Sequence, residues 1–280
     1  MKNIIISLTT IYSRIDIARY TIESLVRQSG VQGYNYIIIL NLSKKSYLLD
    51  KGITSIPVWL NGHKEDALEV NWVENTGSYR KLLPVIDRIQ DDDMVITVDD
   101  DVIYGHNWLC RLMEAVRDHS DKIICGTAKK PVYNIIHSNQ SYINWVSAEP
   151  GESGLNLIPI GVGSVAYRKA FFDLPFLLDP RFKNLAPTTD DIWFKAASAL
   201  KKTHVYVAPG VMDEVHKIKT STSLFDNNRN NAQSQSNNFA LAFINKITNK
   251  TKAYLGAPLG YNDTSVSNIK RFYKIDIGNL

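Results

Sequence analysis

Short apolar runs alternate with helix-like segments along the first two-thirds of the chain, and this alternation constrains the fold more than any other feature. Five runs have the length and residue types of strands: Ile4–Leu8, Tyr36–Leu40, Leu68–Val73, Met94–Val98 and Lys122–Gly126. Segments with helical spacing lie between them, namely Thr21–Val26, Lys81–Ile89 and Trp108–Val116. The pattern predicts an α/β fold with a mostly parallel central sheet and helices on both faces.

The predicted domain boundary lies near residue 220. Residues 1–220 carry the strand–helix alternation, and short strands within 157–160 and 164–167 are expected to complete a site. Residues 221–280 are rich in asparagine and predict a mainly helical or irregular extension. Its apolar positions favour one amphipathic helix over Phe239–Ile247.

The charge of the chain is unevenly placed. The whole chain carries +4, and residues 217–280 contain nine Lys or Arg against three Asp, which gives that part +6 and the remainder −2. A basic extension favours association, with an anionic membrane surface or with a second copy as a homodimer. A merely solvated surface is the alternative.

Several classes of protein are disfavoured by composition. No run reaches the roughly 18–20 apolar residues of a membrane helix, and the apolar run at the N-terminus is too short for a signal peptide. Two cysteines, Cys110 and Cys125, do not make a disulfide framework. No nucleic-acid-reading motif accompanies the basic residues. We therefore expect a cytoplasmic protein, attached peripherally to the inner face of the plasma membrane if the extension binds lipid.

The triplet Asp99-Asp100-Asp101 directly follows the predicted strand Met94–Val98. Ligands bind at the carboxyl ends of strands in an open parallel sheet, so these acids are expected at the mouth of a site. Side chains alternate along an extended segment, so Asp99 and Asp101 can converge while Asp100 points away. Adjacent carboxylates repel each other, and a cation with a preference for oxygen ligands, Mn²⁺ or Mg²⁺, would relieve that repulsion.

This strand and its acidic triplet resemble the Asp-x-Asp motif of GT-A-fold glycosyltransferases, and most closely the bacterial family-2-like enzymes of capsule and lipopolysaccharide synthesis. Other stretches resemble segments of that family in the same order, over about residues 3–220: Ser7–Thr10, Thr76–Pro84, Gly161–Ser164 and Thr189–Phe194.

The resemblance implies that the chain moves a sugar from a nucleotide-diphosphate sugar, a UDP-sugar above all, to a hydroxyl of an oligosaccharide or lipid-linked glycan. It also implies inversion at the anomeric carbon. The residues by themselves carry no marker of a retaining mechanism. The donor-binding residues that it implies are Thr9, Thr10, Lys81 or the adjacent Arg80, Asp99, Asp100, Gly161 and Gly163. The implied metal ligands are Asp101, His216 and Asp99, of which Asp99 would meet either the ribose of the donor or the metal through water.

The acidic pair before Ile192 has two expected roles. Asp190 is a good helix cap, and the resemblance implies that Asp191 takes the proton of the acceptor hydroxyl as general base. The aromatic residues Tyr133, Tyr142 and Trp145 are either sugar-stacking groups or part of the core.

Two other functions compete with sugar transfer. A nucleotidyltransferase that makes nucleotide sugars would need a glycine-rich phosphate loop after the first strand, but residues 9–14 contain no glycine. A non-catalytic module that binds glycans or polyanions would use the basic extension, but it leaves the acidic motifs and the glycine loop unexplained.

Overall fold

The computed structural model describes residues 2–63, 68–90, 92–219 and 248–277. Its strands are β1 (Lys2–Thr9), β2 (Tyr34–Leu42), β3 (Leu68–Trp72), β4 (Met94–Thr97), β5 (Val102–Tyr104), β6 (Ile123–Cys125), β7 (Ala128–Lys130), β8 (Val146–Ser147), β9 (Ser153–Gly154), β10 (Ile158–Pro159), β11 (Val165–Tyr167), β12 (Val205–Val207) and β13 (Val215–Lys217). Its helices are α1 (Ile15–Val26), α2 (Leu83–Ile86), α3 (Trp108–Asp118), α4 (Leu174–Leu177), α5 (Phe182–Leu185) and α6 (Asp190–Leu200), followed by a C-terminal helix (Tyr261–Tyr273). Residues 248–254 are also helical.

Eight strands form the central sheet, in the order β3-β2-β1-β4-β11-β6-β12-β9. The pairs β1–β2, β1–β4, β2–β3 and β6–β12 are parallel, whereas β11 runs antiparallel to both of its neighbours. Two smaller antiparallel sheets lie beside it, one of β10, β7 and β8 and the other of β13 and β5. The predicted α/β class with a mostly parallel sheet is therefore confirmed.

The alternation of side chains along β1 explains why helices cover both faces of the sheet. Ile4 and Ile6 belong to a buried cluster with residues of α1 and α3, and Ile5 belongs to a second cluster with residues of α6. Because successive side chains point to opposite faces of a strand, a continuous apolar run must be buried on both.

The predicted helix over Lys81–Ile89 is largely replaced by other structure. A 3₁₀ turn spans Gly77–Lys81, and α2 begins only at Leu83, with Pro84 in its first turn. Proline has no N–H to donate to the preceding turn but fits the first turn of a helix, so the helix restarts there. Lys81 therefore ends the 3₁₀ turn and lies just before α2, close to the helix start that the sequence predicts.

The C-terminal helix packs against α6 and the residues around it. Ile269, Ile275 and Ile277 lie in the same buried cluster as α6, and the ring of Tyr273 lies 4.6 Å from that of Phe176. The Thr189 hydroxyl donates to that of Ser265 at 2.7 Å, just before α6 begins. The last part of the extension thus belongs to the hydrophobic core. The boundary near 220 stays a prediction, and the predicted helix Phe239–Ile247 lies outside the described residues.

Two other expectations concern membrane spans and thiols. None of the helices in the described ranges is both long and apolar enough to cross a bilayer. Cys110 and Cys125 are both free thiols; Cys125 is buried and Cys110 is partly exposed.

We expect Ile269→Ala to lower the free energy of unfolding by about 2–5 kcal/mol, because it leaves a cavity in a fully buried position. Urea unfolding of the whole chain measures this, with Ile136→Ala as the matched control because Ile136 is 71% exposed. If the two variants lose equally little stability, the C-terminal helix does not contribute to the core.

Candidate active site

A cleft of about 790 Å³ opens at the carboxyl ends of β1 and β4. The two strands are parallel neighbours, so Thr9 and Asp99, which lie at or just beyond their ends, meet at one edge of the sheet. The turn at Gly161, the start of α6 and residues that follow β13 complete the walls. Its volume lies within the range of small-molecule sites, about 300–1,000 Å³.

The ammonium of Lys81 connects the walls of this cleft. Its Nζ lies 2.9 Å from Oδ2 of Asp190, 3.4 Å from Oδ1 of Asp99 and 3.9 Å from Oδ1 of Asp191. Burial on its own lowers the pKa of Lys81, but the carboxylates, Asp190 first, outweigh burial and hold that pKa well above its ordinary value. Lys81 is therefore a fixed positive charge between the end of β4 and the start of α6.

Gly161 allows this cluster to close. A Cβ at position 161 would lie 2.5 Å from Nζ of Lys81 and 3.3 Å from Oδ1 of Asp99, so only glycine leaves room for the ion pairs. The Gly161 N–H also donates to Oδ2 of Asp191 at 3.1 Å. The glycine thus aligns Asp191 by its backbone and admits Lys81 by its lack of a side chain.

Asp190 and Asp191 differ in their surroundings although they are adjacent at the start of α6. The Asp190 side chain is 10% exposed and forms the shortest ion pair with Lys81, whereas that of Asp191 is 24% exposed. Burial raises the pKa of Asp191 to about 7; the charge of Lys81 opposes this rise and that of Asp190 adds to it. Asp191 is the carboxylate with both access to the cleft and an affinity for protons near neutral pH.

The aspartate triplet is divided between two environments. Asp100 is buried and its Oδ1 lies 2.8 Å from Nη2 of Arg14, whereas the side chains of Asp99 and Asp101 are 31% and 26% exposed. Burial, followed by the charge of Asp99, raises the pKa of Asp101, and Arg14 opposes that rise. Two part-exposed carboxylates therefore share the mouth of the cleft while Asp100 anchors the turn below them.

These oxygens fit a divalent cation that a substrate helps to bind. Among the described residues, no group of three or more His, Cys, Asp or Glu is placed to hold a metal ion without help. Mn²⁺ and Mg²⁺ prefer oxygen ligands, and Mg²⁺ is usually held by one or two carboxylates together with substrate phosphates. Asp99 and Asp101, whose charges repel each other, are two such carboxylates, and the phosphates of a bound substrate would supply the remaining ligands.

Arg80 has a structural place in the wall of the cleft. It is fully buried, and its guanidinium donates to Oδ2 of Asp50 at 3.0 Å and to the carbonyl oxygens of Thr10 and Gly77. Asp50 also accepts from Nδ2 of Asn75. Of the two neighbours left open as donor-binding residues, Lys81 faces the carboxylates and Arg80 holds the loop around residue 50 against the first strand.

The other predicted donor residues divide into two groups. Thr9 and Thr10 line the cleft, and the Thr9 hydroxyl donates to the carbonyl oxygen of Asn41 at 2.8 Å. Gly163 does not line it: a Cβ there would meet the Thr127 backbone nitrogen at 2.6 Å, so this glycine serves the packing of its turn against the segment after β6. Gly161 thus makes room within the cleft, whereas Gly163 makes room for the backbone packed behind its turn.

His216, which the resemblance implies as a metal ligand, is not among the residues that line the cleft. His216 is exposed in the middle of β13, whereas the next residue, Lys217, lines the cleft together with Lys219. Because successive side chains of a strand alternate, Lys217 and His216 cannot both face the same side. This placement gives no support to the predicted metal ligand His216.

Sequence reasoning did not single out Arg14, Asp50, Lys217 or Lys219. Arg14 pairs with two members of the triplet, and the two lysines line the same cleft, where the charge of Lys217 opposes the rise in the pKa of Asp101. The one sequence signal for Arg14 is its basic side chain soon after the first strand, and no local sequence pattern marks Asp50 as a site residue. The predicted aromatic residues are also divided, because Trp145 is buried whereas Tyr133 is 38% exposed.

No family model and no curated protein matches this chain in sequence. Solved structures do match it in fold. TarS 1-349 of S. aureus in complex with UDP-GlcNAc aligns with a TM-score of 0.52 and 13% identity, over 100% of this chain and 74% of that one. The mannosyltransferase PcManGT of Pyrobaculum calidifontis, in complex with GDP-Man and Mn²⁺, aligns with a TM-score of 0.51 and 12% identity, over 98% and 75%.

A longer TarS structure aligns with a TM-score of 0.50 and 14% identity over 79% of this chain, which spans only 37% of that protein. At these identities the likeness establishes the fold. The chain shares with TarS and PcManGT a mixed α/β architecture with a large, mostly parallel sheet flanked by helices.

We expect Lys81→Met to lower the free energy of unfolding by about 3–5 kcal/mol, because it leaves the buried carboxylate of Asp190 without its counter-charge. Urea unfolding at neutral pH measures the loss. Adding Asp190→Asn to Lys81→Met should restore part of it, because that unpaired charge is then removed. A double variant less stable than Lys81→Met would contradict this account of the cluster.

Proposed function

We propose that this chain is a metal-assisted glycosyltransferase that moves a sugar from a nucleotide-diphosphate sugar to an acceptor hydroxyl. The observation that carries the proposal is the cluster around Lys81. It brings the acid that follows β4 and the two acids that begin α6 together within one cleft. The fold shared with TarS and PcManGT supports it, since those proteins are described with UDP-GlcNAc and with GDP-Man and Mn²⁺.

The donor is proposed to lie along the edge of the sheet, with its nucleoside near Thr9 and Thr10 and its diphosphate near Asp101. Asp99 and Asp101 would hold Mn²⁺ or Mg²⁺ there. When bound, the cation stabilises the negative charge of the departing diphosphate. Lys217 and Lys219 line the same part of the cleft and add positive charge of their own.

Asp191 is proposed to act as the general base. Its carboxylate takes the proton of the acceptor hydroxyl while that oxygen forms a bond to the anomeric carbon. The bond from this carbon to the diphosphate oxygen breaks, and its electron pair leaves with the nucleoside diphosphate. Attack from the face opposite the leaving group inverts the anomeric centre. Lys81 and the Gly161 N–H hold Asp191 in place during this step.

The proposed product is a surface polysaccharide such as capsule or lipopolysaccharide, with UDP-sugar as donor. A screen of UDP-, GDP-, CMP- and TDP-sugars with Mn²⁺, measured by thermal stabilisation, tests the donor class. A donor present at a free concentration of about 100 times its dissociation constant stabilises the fold by roughly 2.7 kcal/mol. Slow hydrolysis of the bound sugar in the absence of acceptor separates a transferase from a non-catalytic binding module.

Asp101→Ala should abolish the metal-dependent part of the stabilisation by nucleoside diphosphates, because it removes one of the two exposed carboxylates. Melting temperatures with Mn²⁺ and with EDTA measure it. Asp92→Ala is the control, since Asp92 is exposed before β4, at the opposite end of that strand. Equal stabilisation of Asp101→Ala and the unaltered chain, with and without EDTA, refutes the metal site.

Asp191→Asn should slow transfer by about 10²–10⁴-fold while donor binding survives, because only the proton acceptor is lost. Since the pKa of Asp191 is raised, the rate of the unaltered chain should fall as the pH drops below that pKa and the carboxylate becomes protonated. Asp191→Asn should lose this dependence. Rates over a pH series, with donor binding by calorimetry, measure both.

Asp190→Asn is the matched control for the base. It should mainly cost stability, because Asp190 forms the shortest ion pair with Lys81. If Asp190→Asn is inactive and Asp191→Asn is not, the two roles are exchanged. If both variants transfer sugar at the ordinary rate, the base lies elsewhere.

A further inference from the structure

An exposed apolar patch lies on the side of the molecule formed by the small sheet of β7, β8 and β10. Its members are Ile135, Ile136, Ile143, Tyr254 and Leu255. The fractional exposures of the first three are 86%, 71% and 61%, and that of Leu255 is 61%. Such a concentration of exposed aliphatic side chains in two short segments marks a surface that contacts something other than water.

Hydrogen bonds hold the two segments of the patch together. The Ile135 N–H donates to the Tyr254 hydroxyl at 3.2 Å, and the Ser141 N–H donates to the Ala253 carbonyl at 2.8 Å. Within the first segment, Oδ1 of Asn134 accepts from the N–H groups of Ile136 and Ser138. The isoleucines are therefore presented by a fixed scaffold.

The exposed charges within the two segments of the patch are basic, and the two neighbouring acids are engaged: Asp263 accepts from Ser141 and Tyr142, and Asp276 pairs with Lys270. Residues 133–147 and 248–257 contain no Asp or Glu, whereas Lys250 and Lys252 are exposed on the helical residues 248–254. Lys250 lies one helical turn before Tyr254, and Lys252 lies three residues before Leu255, so both lysines border the apolar side chains. The surface is apolar with a basic margin.

We propose that this patch docks the protein on an anionic lipid bilayer. Isoleucine and leucine side chains would enter the boundary between headgroups and acyl chains, with Tyr254 at headgroup level and the lysines against anionic headgroups. Each lysine near such a surface strengthens binding severalfold, and the effect is screened by salt. The exposed Lys250 and Lys252 favour this partner over a polycationic one.

The position of the patch deepens the proposed function, on which this step rests. The C-terminal helix connects the patch to the start of α6. Its Asp263 accepts from the Tyr142 N–H and the Ser141 hydroxyl, beside Ile143, and its Ser265 accepts from the hydroxyl of Thr189, two residues before Asp191. Docking at the patch would bring the protein to the surface that carries a lipid-linked acceptor.

Co-sedimentation of the whole chain with vesicles tests the docking. Vesicles of phosphatidylglycerol mixed with phosphatidylcholine should bind the protein at low salt, and vesicles of phosphatidylcholine alone should bind it much less. Ile135→Ser with Ile136→Ser, and separately Lys250→Gln with Lys252→Gln, should each weaken binding by about tenfold or more. Val58→Ser is the matched control, because Val58 is 85% exposed in the connection between β2 and β3.

Three results would overturn the proposal: no binding of the unaltered chain to anionic vesicles, equal binding by the serine and glutamine variants, or a dimer in solution that the serine variant dissociates. The last would make the patch a contact between subunits. Melting temperatures equal to that of the unaltered chain show that the variants fold. Donor hydrolysis without vesicles should be unchanged in the serine variant, so failure of docking and failure of the proposed transferase activity are distinguishable.

Discussion

The site depends on one interaction, the burial of the Lys81 ammonium among carboxylates from two other parts of the chain. A buried charge is costly unless opposite charges and hydrogen bonds surround it. Lys81 lies on the turn after β3, Asp99 lies after β4, and Asp190 begins α6, so these segments must meet for the charge to be neutralised. The same contacts leave Asp191 beside the lysine but open to the cleft.

The arrangement of the sheet brings these segments together. The parallel pair β1–β4 places the aspartate triplet beside the end of the first strand, where Arg14 neutralises Asp100. The antiparallel strand β11 enters between β4 and β6, so the turn that contains Gly161 arrives at the same edge as the acids. A parallel strand in that place would bring its carboxyl end, and not the preceding turn, to this edge.

The C-terminal helix connects the core to the proposed membrane face. Ile269 is buried among residues of the main domain, and Asp263, in the first turn of the helix, accepts from the backbone of Tyr142. The same carboxylate accepts from the Gly260 N–H and caps its own helix. Packing of the helix is therefore coupled to the position of the segment that carries Tyr142 and Ile143. The basic character of this region, visible in composition, gains a location through Lys250 and Lys252.

The sequence by itself determined the fold class, because apolar runs of strand length, buried on both faces, require helices on both sides of a sheet. It also placed Asp99–Asp101 at a strand end, which follows from the direction of parallel strands. The grouping of Gly161 and Asp191 with Lys81 came from the resemblance of their motifs to those of GT-A-fold glycosyltransferases and not from any local pattern. The break before α2 was readable in principle, since Pro84 marks it.

Only the tertiary structure decided the part that each member of these neighbouring pairs plays. Gly161 and not Gly163 lines the cleft, as does Lys217 and not His216; Arg80 and Lys81 both line it, but Lys81 is the one that pairs with Asp99, Asp190 and Asp191. A shift of one residue along a strand or tight turn sends a side chain to the opposite side, and motifs do not encode that register. The partners Arg14 and Asp50 come from distant segments, so their charges are matched only once the chain has folded.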